Sequence, residues 1–361
     1  LGRVVSGLIR EAIAKLVEWK NLSQDWAYGS MMEIMTGQAT PAQAAAFLTA
    51  LRMKGETVEE ITAFAKAMKS LCHNIRPNIN GRLVDTCGTG GDKIKTFNVS
   101  TAAAFIVAGA GVHVAKHGNR SVTSKSGSAD VLERLGLNLE TPPETVKAAI
   151  EQIGIGFMFA PAFHPAMKHA AGPRKEISIR TVFNILGPLT NPASADAQVL
   201  GVCEVWLVEK VAQVLKSLGL KEAIVVHGLD GLDEISTVGR TLIAWLKDGE
   251  IKTYEVAPED LGVKQSSLES ILCADIEEST ETTFQVLYGC LSPDHPKRSL
   301  VAVNAAAGLI VGGKADDFAY GLELAQESIE SGSAYKKLKQ LVKFYNGSKP
   351  EKLEELEAKY G

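Results

Sequence analysis

A short run of small and polar residues has the composition of an anion-binding loop. Residues 85–92 read DTCGTGGD, and three of four consecutive positions, 88, 90 and 91, are glycine. Glycines let the backbone approach a bulky ligand, and the N–H groups of such a loop converge on an anion. Two clusters of possible donors follow, residues 98–101 (NVST) and 116–121 (KHGNRS). Together they predict a site for a phosphorylated ligand.

A glycine-rich turn alone is a weak signal, because it is about equally often only a tight turn. Here the three clusters each follow a short predicted strand, and ligands of open α/β sheets bind at the carboxyl ends of strands. Asp92, the polar helix start at 98–101 and Lys116 therefore strengthen the prediction of a ligand site.

Other candidate residues each have a plainer alternative. Asp233 and Glu234 are hard oxygen donors suited to Mg²⁺ at a phosphate site, although a solvated acidic turn would look the same. Arg174 could hold a carboxylate through two hydrogen bonds, or it could be a surface arginine at a helix start. Structural or orienting roles are favoured over acid–base roles for three histidines, His117, His164 and His169.

The stretch 308–315 (GLIVGGKA) nearly matches a P-loop. Ala315 stands where Ser or Thr would be needed for magnesium, and the preceding residues have a helical pattern. A helix C-terminus with glycine caps is therefore predicted.

The elements around these clusters change type near residue 77. Before it, apolar spacing and two capping boxes, at 40–43 and 57–60, predict helices only. After it, strands and helices alternate, which indicates a mainly parallel sheet covered by helices. The predicted strands are 83–84, 113–115, 155–159, 199–202 and 223–226, and the helices are 102–108 (capped by Ser100 or Thr101), 129–135, 208–218, 305–309 and 320–344.

The segment 163–192 interrupts this alternation with four prolines and one predicted helix over about 176–186. We expect it to return to the helical part, leaving a ligand cleft between two domains. The fold class is α/β. The predicted small helical domain comprises 1–77 with about 165–192, and the large α/β domain comprises 78–164 and 193–361.

Composition narrows the function classes. The 361 residues are 45% hydrophobic and 22% charged, with a net charge of −4. This charge predicts no general attraction to nucleic acid or anionic lipid. We see no signal peptide at the start of the sequence. We also see no uncharged apolar run that approaches the roughly 18 residues needed to span a bilayer. Five scattered cysteines favour a reduced compartment. A cytoplasmic protein is expected.

The sequence resembles the anthranilate phosphoribosyltransferase family of tryptophan biosynthesis. The resemblance rests on motifs that occur in the same order from the N-terminal helices to about Phe344. They are GTGGD at 88–92, NVST at 98–101, KHGNRS at 116–121, KSGSAD at 125–130, HPAMK at 164–168, RT at 180–181, FNILGPL at 183–189 and DE at 233–234.

The resemblance implies a fold shared with pyrimidine nucleoside phosphorylases and a set of binding residues. Anthranilate would contact Gly88, Asn119 and Arg174, and two Mg²⁺ ions would be held by Ser100, Asp233 and Glu234. Phosphoribosyl pyrophosphate would contact Gly88, Gly91, Asp92, Thr96, Asn98, Val99, Ser100, Thr101, Lys116, His117, Gly118, Asn119, Arg120, Ser121, Val122, Thr123, Ser124 and Ser128.

Two positions depart from the family pattern. Ser178 stands where the family commonly has glycine, and Thr123 replaces a usual serine. Neither removes an implied ligand.

The implied reaction is transfer of a phosphoribosyl group to the amine of anthranilate, with release of pyrophosphate. The family also implies a homodimer formed through the helical domain. Two alternatives stay open at this point: a pyrimidine nucleoside phosphorylase on the same fold, and a non-catalytic nucleic-acid-binding relative. The acidic net charge and the presence of Arg174, Asp233 and Glu234 count against the second.

Overall fold

The protein consists of a helical N-terminal part and a larger part built around one sheet. The structure, a computed structural model, describes residues 7–91, 94–121 and 126–361. The first four helices are α1 (Leu8–Val17), α2 (Gln24–Met35), α3 (Pro41–Lys54) and α4 (Val58–Ser70). The predicted capping boxes start α3 and α4: Thr40 pairs with Gln43, and Thr57 pairs with Glu60.

The described residues contain a seven-stranded sheet with the order β3-β2-β1-β4-β5-β6-β7. The five strands from β3 to β5 are parallel, and β6 and β7 add an antiparallel hairpin at one edge. The fold class predicted from the sequence is confirmed. The strands are β1 (Leu83–Gly88), β2 (His113–Gly118), β3 (Ile155–Phe159), β4 (Ala197–Gly201), β5 (Glu222–Gly228), β6 (Thr241–Lys247) and β7 (Glu250–Val256).

Helices cover both faces of this sheet. The helices that follow β1 in the described part of the chain are α5 (Val99–Gly109), α6 (Ser128–Arg134), α7 (Pro143–Ile153), α8 (Ala160–Phe163), α9 (Lys168–Ile177), α10 (Phe183–Leu189), α11 (Leu207–Ser217), α12 (Ile276–Tyr288), α13 (Pro296–Val311), α14 (Phe318–Glu330), α15 (Ser333–Phe344) and α16 (Glu351–Tyr360). Short 3₁₀ turns lie at Pro165–Met167 and Glu259–Leu261. In the described part of the chain, no helix is long and apolar enough to cross a membrane.

Alternate residues of the strands belong to two apolar cores. On β5, Ile224 and Val226 pack with α5 and α13, whereas Ala223 and Val225 pack with the core of α11 and the N-terminal helices. This is the period of two expected for a sheet buried on both faces. Residues of α9 and α10 belong to the second core, so the proline-rich segment packs with the N-terminal helices.

Three details of the predicted helices are wrong. The segment predicted as one helix over 320–344 is two helices, α14 and α15, because Gly332 between them adopts φ 69°. The segment predicted as one helix over 176–186 is two helices, because Ser178 adopts φ 51° and ends α9 in a left-handed conformation. Glycine adopts a left-handed conformation without strain, which explains why the family commonly has glycine where this chain has Ser178. Helix α5 begins at Val99, earlier than predicted, and Asn98 at its N-cap makes no capping bond.

The predicted C-terminus of a helix in the P-loop-like stretch is confirmed. Helix α13 ends at Val311, and the N–H of Gly312 bonds back to the Gly308 carbonyl. Gly313 follows with φ 71°. Residues 308–311 are helical and cannot form a phosphate loop.

Candidate active site

The glycine loop follows β1 and is held between two neighbouring segments. The Gly90 N–H donates to the Asp233 carboxylate (2.9 Å), and the Gly90 carbonyl accepts from the Arg180 guanidinium (3.1 Å). The Thr89 N–H donates to the Gly201 carbonyl at the end of β4 (2.9 Å). The loop is therefore held on both sides by neighbouring segments.

A side chain in place of glycine would meet other atoms at several of these contacts, and at Gly201 those atoms belong to the backbone, which moves aside less easily than the end of a side chain. A Cβ on Gly91 would lie 0.9 Å from Arg180 Nη2, and a Cβ on Gly88 would lie 2.5 Å from an Asp233 carboxylate oxygen. A Cβ on Gly201 would lie 1.5 Å from the Asp233 carbonyl oxygen. Gly91 also has φ 79°, in the left-handed region that glycine favours.

Lys116 lies at the end of β2, beneath the loop. Its ammonium donates to the Thr86 carbonyl (2.6 Å) and lies 3.4 Å from the Ser100 hydroxyl. Burial lowers the pKa of Lys116 from its usual value, while the Asp85 carboxylate acts in the opposite direction. A buried cation at this point favours the binding of an anion in the cleft.

His117 and His164 form a buried pair on the other side of β2. Their ring centroids are 5.0 Å apart, and neither Nε2 atom has a hydrogen-bond partner among the described residues. Burial lowers the pKa of His117 to about 3 and that of His164 to about 4. Both rings are therefore neutral at pH 7, which agrees with a structural or orienting role.

The loop after β2 is closed by Asp130, at the start of α6. One carboxylate oxygen accepts from the N–H groups of Ser121 and Gly127, both at 3.0 Å. Arg120, a predicted phosphate contact, forms ion pairs with Asp130 (3.0 Å) and Glu133 (2.7 Å). Arg120 also lines the cleft, and exposed ion pairs of this kind are weak.

Arg174 projects from α9 on the opposite wall of the cleft. Its guanidinium stacks over the Phe183 ring at 4.9 Å, and burial lowers its pKa. An arginine remains charged at neutral pH even so. No carboxylate of the described residues forms an ion pair with it, so its charge is available to an acidic ligand.

The candidate metal ligands form a set of oxygen donors. Asp233 is buried, and Ser100 and Glu234 line the same cleft. Burial raises the pKa of Asp233, and a bound cation would oppose that effect. Within the described residues no group of three or more His, Cys, Asp or Glu side chains could hold a metal alone. The donors fit Mg²⁺, which commonly takes one or two carboxylates together with substrate phosphates and water.

Most of the predicted binding residues surround one cleft of about 350 Å³. Thr101 does not line it, since its side chain is fully buried. Four predicted residues lie outside the described part of the chain: Asp92, Val122, Thr123 and Ser124. Those that line the cleft are Gly88, Gly91, Thr96, Asn98, Val99, Ser100, Lys116, His117, Gly118, Asn119, Arg120, Ser121, Ser128, Arg174, Asp233 and Glu234.

Several residues of the site were not assigned a role from the sequence. Phe183 and Asn184 supply part of the wall beside Arg174, and Lys95 and Phe97 line the entrance to α5. Arg180 holds the glycine loop from outside the lining. Arg180, Phe183 and Asn184 lie in the proline-rich segment, whose predicted return to the helical part was the signal that it forms the opposite wall.

Comparisons with known proteins agree with this arrangement. Residues 80–335 match the family described as "Glycosyl transferase family, a/b domain", and residues 10–72 match "Glycosyl transferase family, helical bundle domain". The anthranilate phosphoribosyltransferase of Acetivibrio thermocellus is 51% identical over 339 residues, which cover 94% of this chain and 97% of that protein. The Marinomonas enzyme of the same name is 52% identical over 336 residues, or 93% and 96% of the two chains.

Solved structures give the same result. The crystal structure of anthranilate phosphoribosyltransferase from Thermus thermophilus superposes with a TM-score of 0.86 at 42% identity, covering 92% of this chain and 98% of that one. The Saccharomyces cerevisiae enzyme in complex with phosphoribosyl pyrophosphate and Mg gives 0.83 at 27% identity, covering 95% and 99%. The same yeast enzyme with 4-fluoroanthranilate gives 0.84 at 26% identity over the same shares.

The matches extend over both the helical part and the sheet, and they include the two walls of the cleft. The chain belongs to the anthranilate phosphoribosyltransferase family.

Proposed function

We propose that this protein transfers the phosphoribosyl group of phosphoribosyl pyrophosphate to the amine of anthranilate, in tryptophan biosynthesis. The observation that carries the proposal is the meeting of three features in one cleft: the glycine loop, the Asp233–Glu234 pair and Arg174. The names of close relatives, and the yeast structures with phosphoribosyl pyrophosphate, Mg and 4-fluoroanthranilate, support this reaction over the two alternatives.

In this proposal the phosphorylated substrate lies on the loops after β1 and β2. Backbone N–H groups of the glycine loop other than those of Thr89 and Gly90, which donate to Gly201 and Asp233, would supply donors for its phosphate groups. The Asn98 side chain and the Lys116 ammonium would add a further donor and positive charge. The roles in phosphate binding given above for individual residues, including Thr101 and those outside the described ranges, are part of the proposal.

Two Mg²⁺ ions, held by Ser100, Asp233, Glu234 and substrate oxygens, would stabilise negative charge on the departing pyrophosphate. Asp233 is held for this role by the Gly90 N–H, which fixes the distance between the glycine loop and the carboxylates. The yeast relative was solved with Mg bound.

Anthranilate would lie against the opposite wall. Arg174 would grip its carboxylate, which directs the aromatic amine toward C1 of the ribose. The amine attacks C1 while the bond from C1 to the pyrophosphate oxygen breaks, and the nitrogen then loses a proton to water or to the departing pyrophosphate. Alignment of the two substrates and stabilisation of the leaving group then supply most of the rate acceleration.

The reaction needs no strong base before the attack, because an aromatic amine is neutral at pH 7. The buried, neutral rings of His117 and His164 agree with this, since neither carries charge in the neutral range. Closure of the helical part over the sheet would exclude water, which would otherwise compete for C1.

The proposal includes three further features: the bounds of the helical unit, the oligomeric state and the location. The helical unit is residues 1–77 with about 165–192, in keeping with the shared core of α9, α10 and the N-terminal helices. A homodimer would form through that unit, as the family implies. A cytoplasmic location stays a prediction from the sequence.

The proposal is tested by the fluorescence of anthranilate mixed with the protein, phosphoribosyl pyrophosphate and Mg²⁺. We expect a decrease that requires all three components. A folded protein that leaves anthranilate unchanged would contradict the proposal, and phosphorolysis of pyrimidine nucleosides would be assayed next.

An Arg174→Ala variant tests the placement of the two substrates in the same assay. Loss of a charge-assisted pair should raise the KM for anthranilate at least about tenfold and leave that for phosphoribosyl pyrophosphate nearly unchanged. Lys175→Ala is the matched control, since Lys175 is the next residue of α9 and is exposed. An equal rise in the KM for both substrates would contradict the assignment of Arg174 to the anthranilate carboxylate.

A further inference from the structure

The side chain of Asn98 is held by two serine hydroxyls from distant parts of the chain. Its Oδ1 accepts from Ser279 Oγ (2.8 Å) and from Ser126 Oγ (2.9 Å), and the two hydroxyl oxygens are 3.2 Å apart. Ser126 precedes α6, whereas Ser279 lies on α12. Three separate segments therefore meet at one amide group.

Ser279 is fully buried and does not line the cleft. The segment that contains it supports the loop before α5, since the Cys273 N–H donates to the Lys95 carbonyl at 3.0 Å. Helix α12 thus lies behind the phosphate side of the cleft, with Asn98 between it and the ligand space.

The hydrogen bond of Ser279 differs from those of its neighbours on the helix. The hydroxyls of Thr280 and Thr283 donate to the carbonyls four residues earlier, Ile276 (2.8 Å) and Ser279 (2.7 Å). Such bonds satisfy a buried hydroxyl within its own helix. Ser279 Oγ instead donates to a residue 181 positions away.

The direction of these bonds decides what Asn98 can offer a ligand. Ser279 Oγ donates to Oδ1, Ser126 Oγ is within donating distance of both Oδ1 and Ser279 Oγ, and no described residue accepts from Nδ2. The amide nitrogen is left as a donor in a cleft suited to phosphate groups. If the Asn98 amide were rotated by 180°, Oδ1 would face the phosphate oxygens of the ligand instead. Both are hydrogen-bond acceptors and would repel each other.

We propose that Ser279 is a positioning residue for phosphoribosyl pyrophosphate, which fixes the Asn98 amide so that its nitrogen faces the phosphate groups. This inference rests on the proposed function, because it takes Asn98 as a ligand contact. The role would be exerted from outside the cleft, through one hydrogen bond.

The test compares Ser279→Ala with wild type in two assays: binding of phosphoribosyl pyrophosphate with Mg²⁺ by calorimetry, and steady-state kinetics. We expect the Kd and the KM for phosphoribosyl pyrophosphate to rise about five- to tenfold, the effect of one lost hydrogen bond. The KM for anthranilate should stay within about twofold of wild type. Thr280→Ala removes a hydroxyl that is bonded within its own helix. This variant should leave the Kd for phosphoribosyl pyrophosphate and the KM values for both substrates unchanged.

A double-mutant cycle separates positioning from a general structural effect. In an Asn98→Ala background, Ser279→Ala should weaken binding no further, because the group that it positions is gone. Unchanged binding by folded Ser279→Ala, or an equal further loss in the Asn98→Ala background, would overturn the proposal.

Two other results have defined meanings. If Ser279→Ala does not fold, Ser279→Cys, which keeps the size and a weak donor, replaces it and should show a smaller loss than the alanine variant of Asn98. Wild type that binds phosphoribosyl pyrophosphate but does not consume anthranilate would refute the proposed function while leaving this inference standing. Wild type that does not bind it would refute both.

Discussion

At the scale of single residues, the histidine pair shows how burial sets a charge state. Burial, the largest cause at both sites, lowers the pKa of His117 to about 3 and of His164 to about 4. In the unfolded chain a histidine has a pKa of about 6.5. Between these values the unfolded state binds more protons than the folded state. Acidification below about pH 6.5 therefore favours unfolding.

We predict that the two histidines lower the urea midpoint of the wild-type protein between pH 7 and pH 5, in the direction opposite to the buried carboxyl groups of Glu56, Asp85 and Asp233, whose pKa burial raises. The double variant His117→Asn/His164→Asn should show a smaller decrease over this range, because two of the groups that take up protons on unfolding are gone, while His113 and His295, whose pKa burial also lowers, remain. The comparison is of pH slopes, so a general loss of stability in the variant does not affect it. Parallel slopes for the two proteins would contradict the lowered pKa values, because they would mean that the two rings bind protons equally in the folded and unfolded states.

At the scale of elements, the carboxylate pair depends on a glycine at the end of a neighbouring strand. Gly201 ends β4, and the backbone of Asp233 passes so close that a Cβ would lie 1.5 Å from its carbonyl oxygen. The loop after β5 therefore takes its position from β4 as well as from β5. Asp233 in turn accepts a hydrogen bond from Gly90, so the positions of the ends of β1, β4 and β5 depend on one another.

We expect Gly201→Ala to displace Asp233 and to lower kcat/KM for phosphoribosyl pyrophosphate at least about a hundredfold, since ångström-scale misplacement has effects of that size. The measurement is steady-state kinetics at several Mg²⁺ concentrations. Gly172→Ala is the control, because nothing lies within 4 Å of its added Cβ. A Gly201→Ala enzyme with the kinetics of wild type would show that the backbone moves aside without cost.

Elements with strong local signals could be predicted from the sequence. The capping boxes before α3 and α4 and the strands that precede the polar clusters were found, and so was the cleft side of the sheet. The β6–β7 hairpin was missed, although its Asp248-Gly249 turn, with φ values of 52° and 77°, is a recognisable hairpin signal.

Other features had no local signal. The break between α9 and α10 depends on a left-handed serine, which sequence pattern does not indicate. The bonds from Arg180 to Gly90 and from Ser279 to Asn98 join residues far apart in the chain. Contacts of this kind are set by tertiary packing, so resemblance supplied the candidate binding residues and the structure supplied the groups that hold them.

At the scale of the whole molecule, the chain passes between the helical part and the sheet at neighbouring points. The His73 N–H donates to the Phe163 carbonyl (2.8 Å), and the Ile75 N–H donates to the Pro192 carbonyl (3.1 Å). Three crossing segments are thereby joined to one another. Any closure of the cleft must bend the chain at this junction.

Asn191 connects the junction to the sheet. Its amide nitrogen donates to the Asp85 carboxylate and to the Ala115 carbonyl, both at 2.8 Å, and its oxygen accepts from the Ala193 N–H (2.9 Å). Asp85 is fully buried, and burial raises its pKa. The Asn191 amide is therefore one of the few groups that stabilise this carboxylate.

We predict that Asn191→Asp destabilises the protein by about 2–4 kcal/mol at pH 7.5, because it places a second carboxylate against buried Asp85. Part of this loss should be recovered at pH 5, since two adjacent carboxyl groups can share one proton. The measurement is the difference in free energy of unfolding between variant and wild type at each pH. Asn191→Ala should be destabilised with less recovery, because it leaves only one carboxylate. A loss by Asn191→Asp that does not change with pH would show that Asp85 is already protonated at pH 7.5.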